Sequence, residues 1–97
     1  MTTPLCYASY YGHINAVRLL IDLGADINNS THIVNNRSWT PLHTASLNGH
    51  VDVMQLLIDA DADINVMSNH GWTPLHTASL NRHIDAMQLL KSHRAHE

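Results

Sequence analysis

"TPLHTASLN" runs from Thr40 to Asn48 and again, unchanged, from Thr73 to Asn81, and a related "TPLCYASYY" runs from Thr3 to Tyr11. Nine identical residues in a chain of 97 do not recur by chance. The two identical copies are 33 residues apart, and over their first eighteen positions the units differ only at Gly49/Arg82, Val51/Ile84 and Val53/Ala86. From Thr3 to Thr40 the spacing is 37, so the first junction carries four additional residues. They fall in "NNSTHIVNNRSW", between Asn28 and Thr40, where the second junction has only "VMSNHGW". Extra length in a connection costs little free energy. A fixed period of this kind is the mark of stacked repeats. Recent duplication, or a designed or reconstructed sequence, would explain the near-identity of the last two units equally well.

Each unit has a physical reading. Thr40 suits a helix N-cap, and Pro41 then takes the first helical position, where its missing N–H has no intrahelical partner to lose. A short helix should therefore start at "TPLH" and end near Asn48, because Gly49 adopts the left-handed conformation cheaply. A second helix is expected in "HVDVMQLLIDA", with Val51, Val53, Met54, Leu56, Leu57 and Ile58 apolar and Asp52, Gln55 and Asp59 facing water. "DADIN" closes the unit, and a turn-rich stretch leads to the next "WTPLH". A helix pair this small cannot bury both apolar faces alone, so stability must come from stacking, for which three units are about the minimum. Leu42, Leu75, Ala45, Ala78 and the "LL" pairs are the expected shared core.

"GWTPLHTASLNRH", "NGHVDVMQLLIDADADIN" and "YGHINAVRLLIDLGADIN" resemble ankyrin repeats, in three copies covering nearly the whole chain. The resemblance implies an all-α solenoid of helix pairs with projecting β-hairpin-like loops, one domain over residues 1–97 with repeats at 3–35, 36–68 and 69–97. It also implies a protein-protein interaction module that recognises a protein partner on its concave side. Mapped by the family pattern, the partner-reading positions are Asn36, Arg37, Trp39, Asn69, His70 and Trp72 in the loops, and Tyr10, Tyr11, Leu47, Asn48, Leu80 and Asn81 on the short helices. Aromatic residues are frequent binding hot spots. The plainer alternatives are that Trp39 and Trp72 brace the loops and that Tyr10 and Tyr11 end a solvated helix. In the family the His of "TPLH" bonds near the adjoining unit's loop. Cys6 replaces it in the first repeat, which has no preceding unit to bond. The "ADIN" context also resembles that of ankyrin asparaginyl hydroxylation, with Asn65 and Asn28 as candidates.

The departures from the pattern carry their own expectations. Arg82 stands where Gly12 and Gly49 occur, Asp61 where Gly24 occurs, and Ser38 where Gly71 occurs. A non-Gly residue in the left-handed region costs about 1 kcal/mol, somewhat less for Asp. Lys91 and Ser92 replace Ile58 and Asp59 and suggest a polar C-terminal cap. The first unit shows no such softening, so either more repeats precede it or it self-associates.

Composition narrows the function further. The net charge is -3 with only five Lys plus Arg, too few for a phosphate-neutralising patch, so nucleic acid is not an expected partner. No apolar run approaches a bilayer span and the N-terminus lacks a signal-peptide pattern, which points to an intracellular, cytoplasmic protein. The lone Cys6 permits no internal disulfide and suits a reducing compartment. Catalysis is not expected: Glu97 is the only Glu, there is no Gly-rich phosphate loop, and Ser46, His43 and Asp52 belong to the repeat scaffold. No cofactor or metal is expected either. Most of the nine His recur because the repeat recurs, and His93 with His96 makes only two ligands at a terminus. Below about pH 6 exposed His residues protonate and the net charge moves from -3 toward positive, so solubility and binding should respond to pH.

Overall fold

The fold was taken from a computed structural model, which describes residues 3–28, 39–68 and 71–93. Among the described residues, six helices alternate short and longer: α1 (Pro4–Tyr11), α2 (Ile14–Asp22), α3 (Pro41–Leu47), α4 (Val51–Asp59), α5 (Pro74–Leu80) and α6 (Ile84–Ser92). Three consecutive pairs make three units. α1, α3 and α5 pack side by side as an inner layer, with α2, α4 and α6 behind them. None of these six helices exceeds nine residues, a length that is marginal in isolation, so they hold their form through the stack.

Local chemistry starts and stops these helices where the sequence suggests. Thr3, Thr40 and Thr73 are N-caps in extended conformation, each accepting a hydrogen bond from a backbone N–H of the first turn. In α3 and α5 the cap is reciprocal, because His43 and His76 accept in return from the N–H of Thr40 and Thr73 at 3.1 Å. Gly12 and Gly49 have φ of +73° and +68°, and Arg82 and Asp61 take the same left-handed conformation at 56° and 70°.

The core runs through all three units. Leu5 and Ala8, Leu42 and Ala45, and Leu75 and Ala78 are buried on the inner helices, and Val17, Met54, Leu57 and Leu90 are among those that meet them from the outer ones. Alanine at the inner-helix contact lets the backbones approach. A polar ladder then fixes the register. Thr44 Oγ1 and Thr77 Oγ1 donate within their own helices to the carbonyls of Pro41 and Pro74 at 2.8 Å and 2.7 Å, and share that proton across the units with the carbonyls of Cys6 at 3.5 Å and His43 at 3.1 Å. Asn48 Nδ2 donates to the carbonyl of Tyr10 at 2.6 Å, and Asn81 Nδ2 to that of Leu47 at 2.8 Å. Each inter-unit bond runs from one unit back to the unit before it.

Candidate functional site

The His that follows the turn after the second and third short helices makes a further contact between units. The rings of His50 and His83 sit directly over Gly12 and Gly49 of the preceding unit, so near that a Cβ there would lie 2.7 Å and 2.5 Å from them. Glycine is therefore needed twice at these positions, for the positive φ and for the ring. Arg82 has only the positive φ to satisfy, since no following His covers it among the described residues.

The His of "TPLH" reaches forward. His43 is buried, accepts from Thr40 N–H at Nδ1, and donates from Nε2 to the carbonyl of Trp72 at 2.7 Å. Those two bonds fix one neutral tautomer. Burial lowers its pKa from 6.5 to about 4, against opposing hydrogen bonds to the Trp72 and Val66 carbonyls and the attraction of Asp63. Cys6 makes the weaker equivalent, with Sγ 3.9 Å from the carbonyl of Trp39. The expectation that the first unit lacks a partner for this bond is therefore corrected: the bond runs to the following unit, which Cys6 does have. Burial raises the Cys6 thiol from 9.0 to about 11, against a lowering hydrogen bond to Thr3.

The residues expected to read a partner divide into distinct groups. Trp39 is only 1% exposed, its ring stacked at 6.2 Å on both His43 and Trp72, so it braces the stack and presents no contact surface. Asn48, half-buried, and Asn81, exposed, each donate from the side-chain amide to the preceding unit in the inter-unit ladder. Tyr10, Leu47 and Leu80 occupy one register position on the three inner helices; Tyr10 and Leu47 are half-buried and Leu80 is 51% exposed. Trp72 is half-buried beside them, and with Gly71, His76 and Leu80 it lines an open groove of about 430 Å³. Tyr11 is 53% exposed at the end of α1. Asn36, Arg37, Asn69 and His70 lie outside the described residues, as does His96.

Tyr7, which the repeat pattern does not select, is exposed beside Tyr11 on the first unit. It is 55% exposed and meets Tyr11 at a tilt of 50° with ring centroids 4.8 Å apart, while Tyr11 also meets Tyr10 edge-on at 4.9 Å and His13 at 6.1 Å. The i, i+4 spacing of Tyr7 and Tyr11 was the available signal. Asn28 and Asn65 close equivalent turns, each donating its backbone N–H to the Asp two residues earlier at 3.1 Å. The Asn28 side chain also accepts from the N–H of Asp63 at 2.8 Å, which ties the first two turns together.

Among the described residues no group of three His, Cys, Asp or Glu converges as metal ligands would, and no helix is long and apolar enough to cross a membrane. No curated protein matches the chain. A family model described as ankyrin repeats, three copies, matches residues 29–97, and one described as ankyrin repeat matches residues 2–32. Such repeats are generally protein-protein interaction modules that bind protein partners, and they are typically not enzymes. With three helix pairs stacked in one register and nearly every residue covered by these matches, the chain belongs to the ankyrin-repeat family.

Proposed function

We propose that this chain binds a protein partner along the strip formed by Tyr10, Leu47 and Leu80, flanked by Tyr11 and Trp72. The observation that carries the reading is the contrast between neighbours in "LN". Asn48 and Asn81 are tied to backbone carbonyls of the preceding unit, while the adjacent Leu47, half-buried, and Leu80, 51% exposed, leave apolar side-chain surface uncovered. A surface fixed before contact loses little conformational freedom on binding. Asn36, Arg37, Asn69 and His70 complete the surface in this reading. A photocrosslinking side chain at Leu80 should capture a protein that the same side chain at Gln55, on an outer helix, does not. Replacing Tyr11 and Trp72 together by Ala should then weaken binding of that protein by more than about 2 kcal/mol. Full affinity with an intact fold would refute the assignment.

A second reading, self-association through the first unit, is favoured by one specific feature. Pro4, Tyr7, Tyr11, Ala16, Leu19 and Leu23 are all exposed on α1, α2 and the residue after α2. The residues in register with three of them, Pro41, Thr44 and Val53, are buried in the second unit. Arg18, Ile21 and Asp22 point the other way, lining a cavity with Leu56, Asp59 and Ala60 of the second unit. A contiguous exposed apolar face on a lone molecule commonly marks a contact site. Light scattering across a concentration series should show a dimer that Leu19→Glu abolishes. A monomer at every concentration would remove this reading and leave the first untouched.

A further inference from the structure

The stack displays what its forward-facing seats hold. Under the first unit, Cys6 Sγ faces the carbonyl of Trp39; under the second, His43 Nε2 donates to the carbonyl of Trp72 at 2.7 Å. The ring of Trp72 stacks on that of Trp39, with centroids 6.2 Å apart and planes 27° from parallel. Both tryptophans precede Thr-Pro, at Trp39-Thr40-Pro41 and Trp72-Thr73-Pro74. Proline restricts the residue before it to extended backbone, and Thr40 and Thr73 are extended, with ψ of 168° and 166°. Each seat therefore takes the same object: an aromatic residue, its carbonyl, and the extended strand that leads into a proline.

At the third unit the same seat is open. His76 is exposed, and its Nδ1 accepts from Thr73 N–H at 3.1 Å, so the ring proton sits on Nε2 as in His43. Among the described residues Nε2 of His76 has no hydrogen-bond partner. The groove of about 430 Å³ lined by Gly71, Trp72, His76 and Leu80 lies in the place that the second unit gives to Trp72. A His ring placed over Arg82 as His50 and His83 lie over Gly12 and Gly49 would have to shift away from the Arg82 Cβ. Lys91 also stands where the first two units have Ile21 and Ile58.

We propose that this groove binds an extended segment of a partner protein in which an aromatic residue stands two positions before a proline. The aromatic ring stacks on Trp72, its carbonyl accepts from His76 Nε2–H, and the flanking chain lies against Leu80. The proposal rests on the reading of the inner surface as a binding face and assigns part of that face its ligand chemistry. One stacked ring and one hydrogen bond imply weak binding for the isolated segment, with a Kd on the order of 1 mM.

The probe is acetyl-Gly-Trp-Thr-Pro-Leu-amide, a copy of residues 71–75, titrated into the full chain and followed by backbone and histidine side-chain NMR shifts. Saturable shifts centred on Trp72, His76 and Leu80 are expected, with affinity falling about tenfold when the peptide Trp is replaced by Ala. His76→Ala should cost a similar factor. Leu80→Ala, an exposed helix-end change that leaves the cap intact, should weaken binding independently of any effect on folding. The proposal is overturned by an absence of saturable shifts up to about 5 mM, by shifts centred on the first unit, or by equal binding of the Ala peptide. A captured partner that needs Tyr11 and Leu47 but is indifferent to His76 would sink this assignment alone. Indifference to Tyr11, Leu47 and Trp72 would sink the broader function.

Discussion

His43 Nε2 lies 2.7 Å from the carbonyl oxygen of Trp72, 29 residues further along the chain. With Nδ1 held by Thr40 N–H at 3.1 Å, the ring joins the cap of its own helix to the entry of the next unit. Both bonds need the neutral ring: a proton on Nδ1 would face a donor.

Stability should therefore fall in mild acid. The unfolded chain protonates this residue near 6.5 and the folded chain only near 4, so between those values the unfolded state binds the extra proton. The stabilisation is whole above about pH 6.5 and declines as pH falls toward 4, by about 2 kcal/mol at pH 5 and about 3 kcal/mol in total. Urea unfolding between pH 7.5 and 4.5 should show this slope, and His43→Gln should flatten it. An unchanged slope in the variant would exclude His43 as its source.

Gly12 and Arg82 stand at equivalent positions but should respond oppositely to exchange. Gly12→Ala and Gly49→Ala each add a Cβ at positive φ and push it into a His ring at 2.7 Å and 2.5 Å. A loss of more than about 2 kcal/mol is expected for each, the conformational cost plus the disturbed contact. Arg82→Gly relieves only the backbone, for a gain of up to about 1 kcal/mol. Thermal or urea unfolding measures all three. Equal losses from Gly12→Ala and a Gly-to-Ala change at Gly24, where nothing lies within 4 Å of an added Cβ, would show that the rings contribute nothing.

The helices and their order are legible in the sequence because Thr-Pro and the "GH" turn act through local backbone chemistry. The period then reports the stack, since units this short must share a core. What one unit's pattern does not state is the direction in which a polar side chain bonds. Asn48 resembles a surface residue until the carbonyl of Tyr10 is placed 2.6 Å away, and Trp39 resembles a loop contact until Trp72 and His43 close over it. Tyr7 escapes for the opposite reason. Its register partners Thr44 and Thr77 are buried between units, and only the first unit leaves that position uncovered.

Cys6 should be slow to react in the folded protein. It is fully buried, and burial raises its pKa to about 11 from 9.0. Two pKa steps leave about a hundredfold less thiolate near pH 8, before access is considered. Iodoacetamide labelling followed by mass spectrometry should be at least about a hundredfold slower in buffer than in denaturing urea. Comparable rates would mean that the contact with the Trp39 carbonyl opens readily. Cys6→His is the complementary change, expected to restore the reciprocal cap with Thr3 and to stabilise by about 1 kcal/mol.

Leu47 and Asn48, adjacent in the repeated "TPLHTASLN", should separate stability from binding. Asn48→Ala removes the hydrogen bond to the Tyr10 carbonyl and should cost about 1 kcal/mol of unfolding free energy. Partner affinity, measured with the folded variant, should stay within about twofold, because the amide is turned toward the preceding unit. Leu47→Ala trims a half-buried side chain outside the inter-unit ladder, so its stability cost should be below about 1 kcal/mol while partner affinity falls about tenfold or more. Asn81→Ala and Leu80→Ala repeat the comparison one unit on, where the Asn81 bond to the Leu47 carbonyl is solvent-exposed and its loss should cost less. If Asn48→Ala weakens binding more than Leu47→Ala at equal folded fraction, the two residues have the reverse roles, and the reading surface lies on the amide side of the strip.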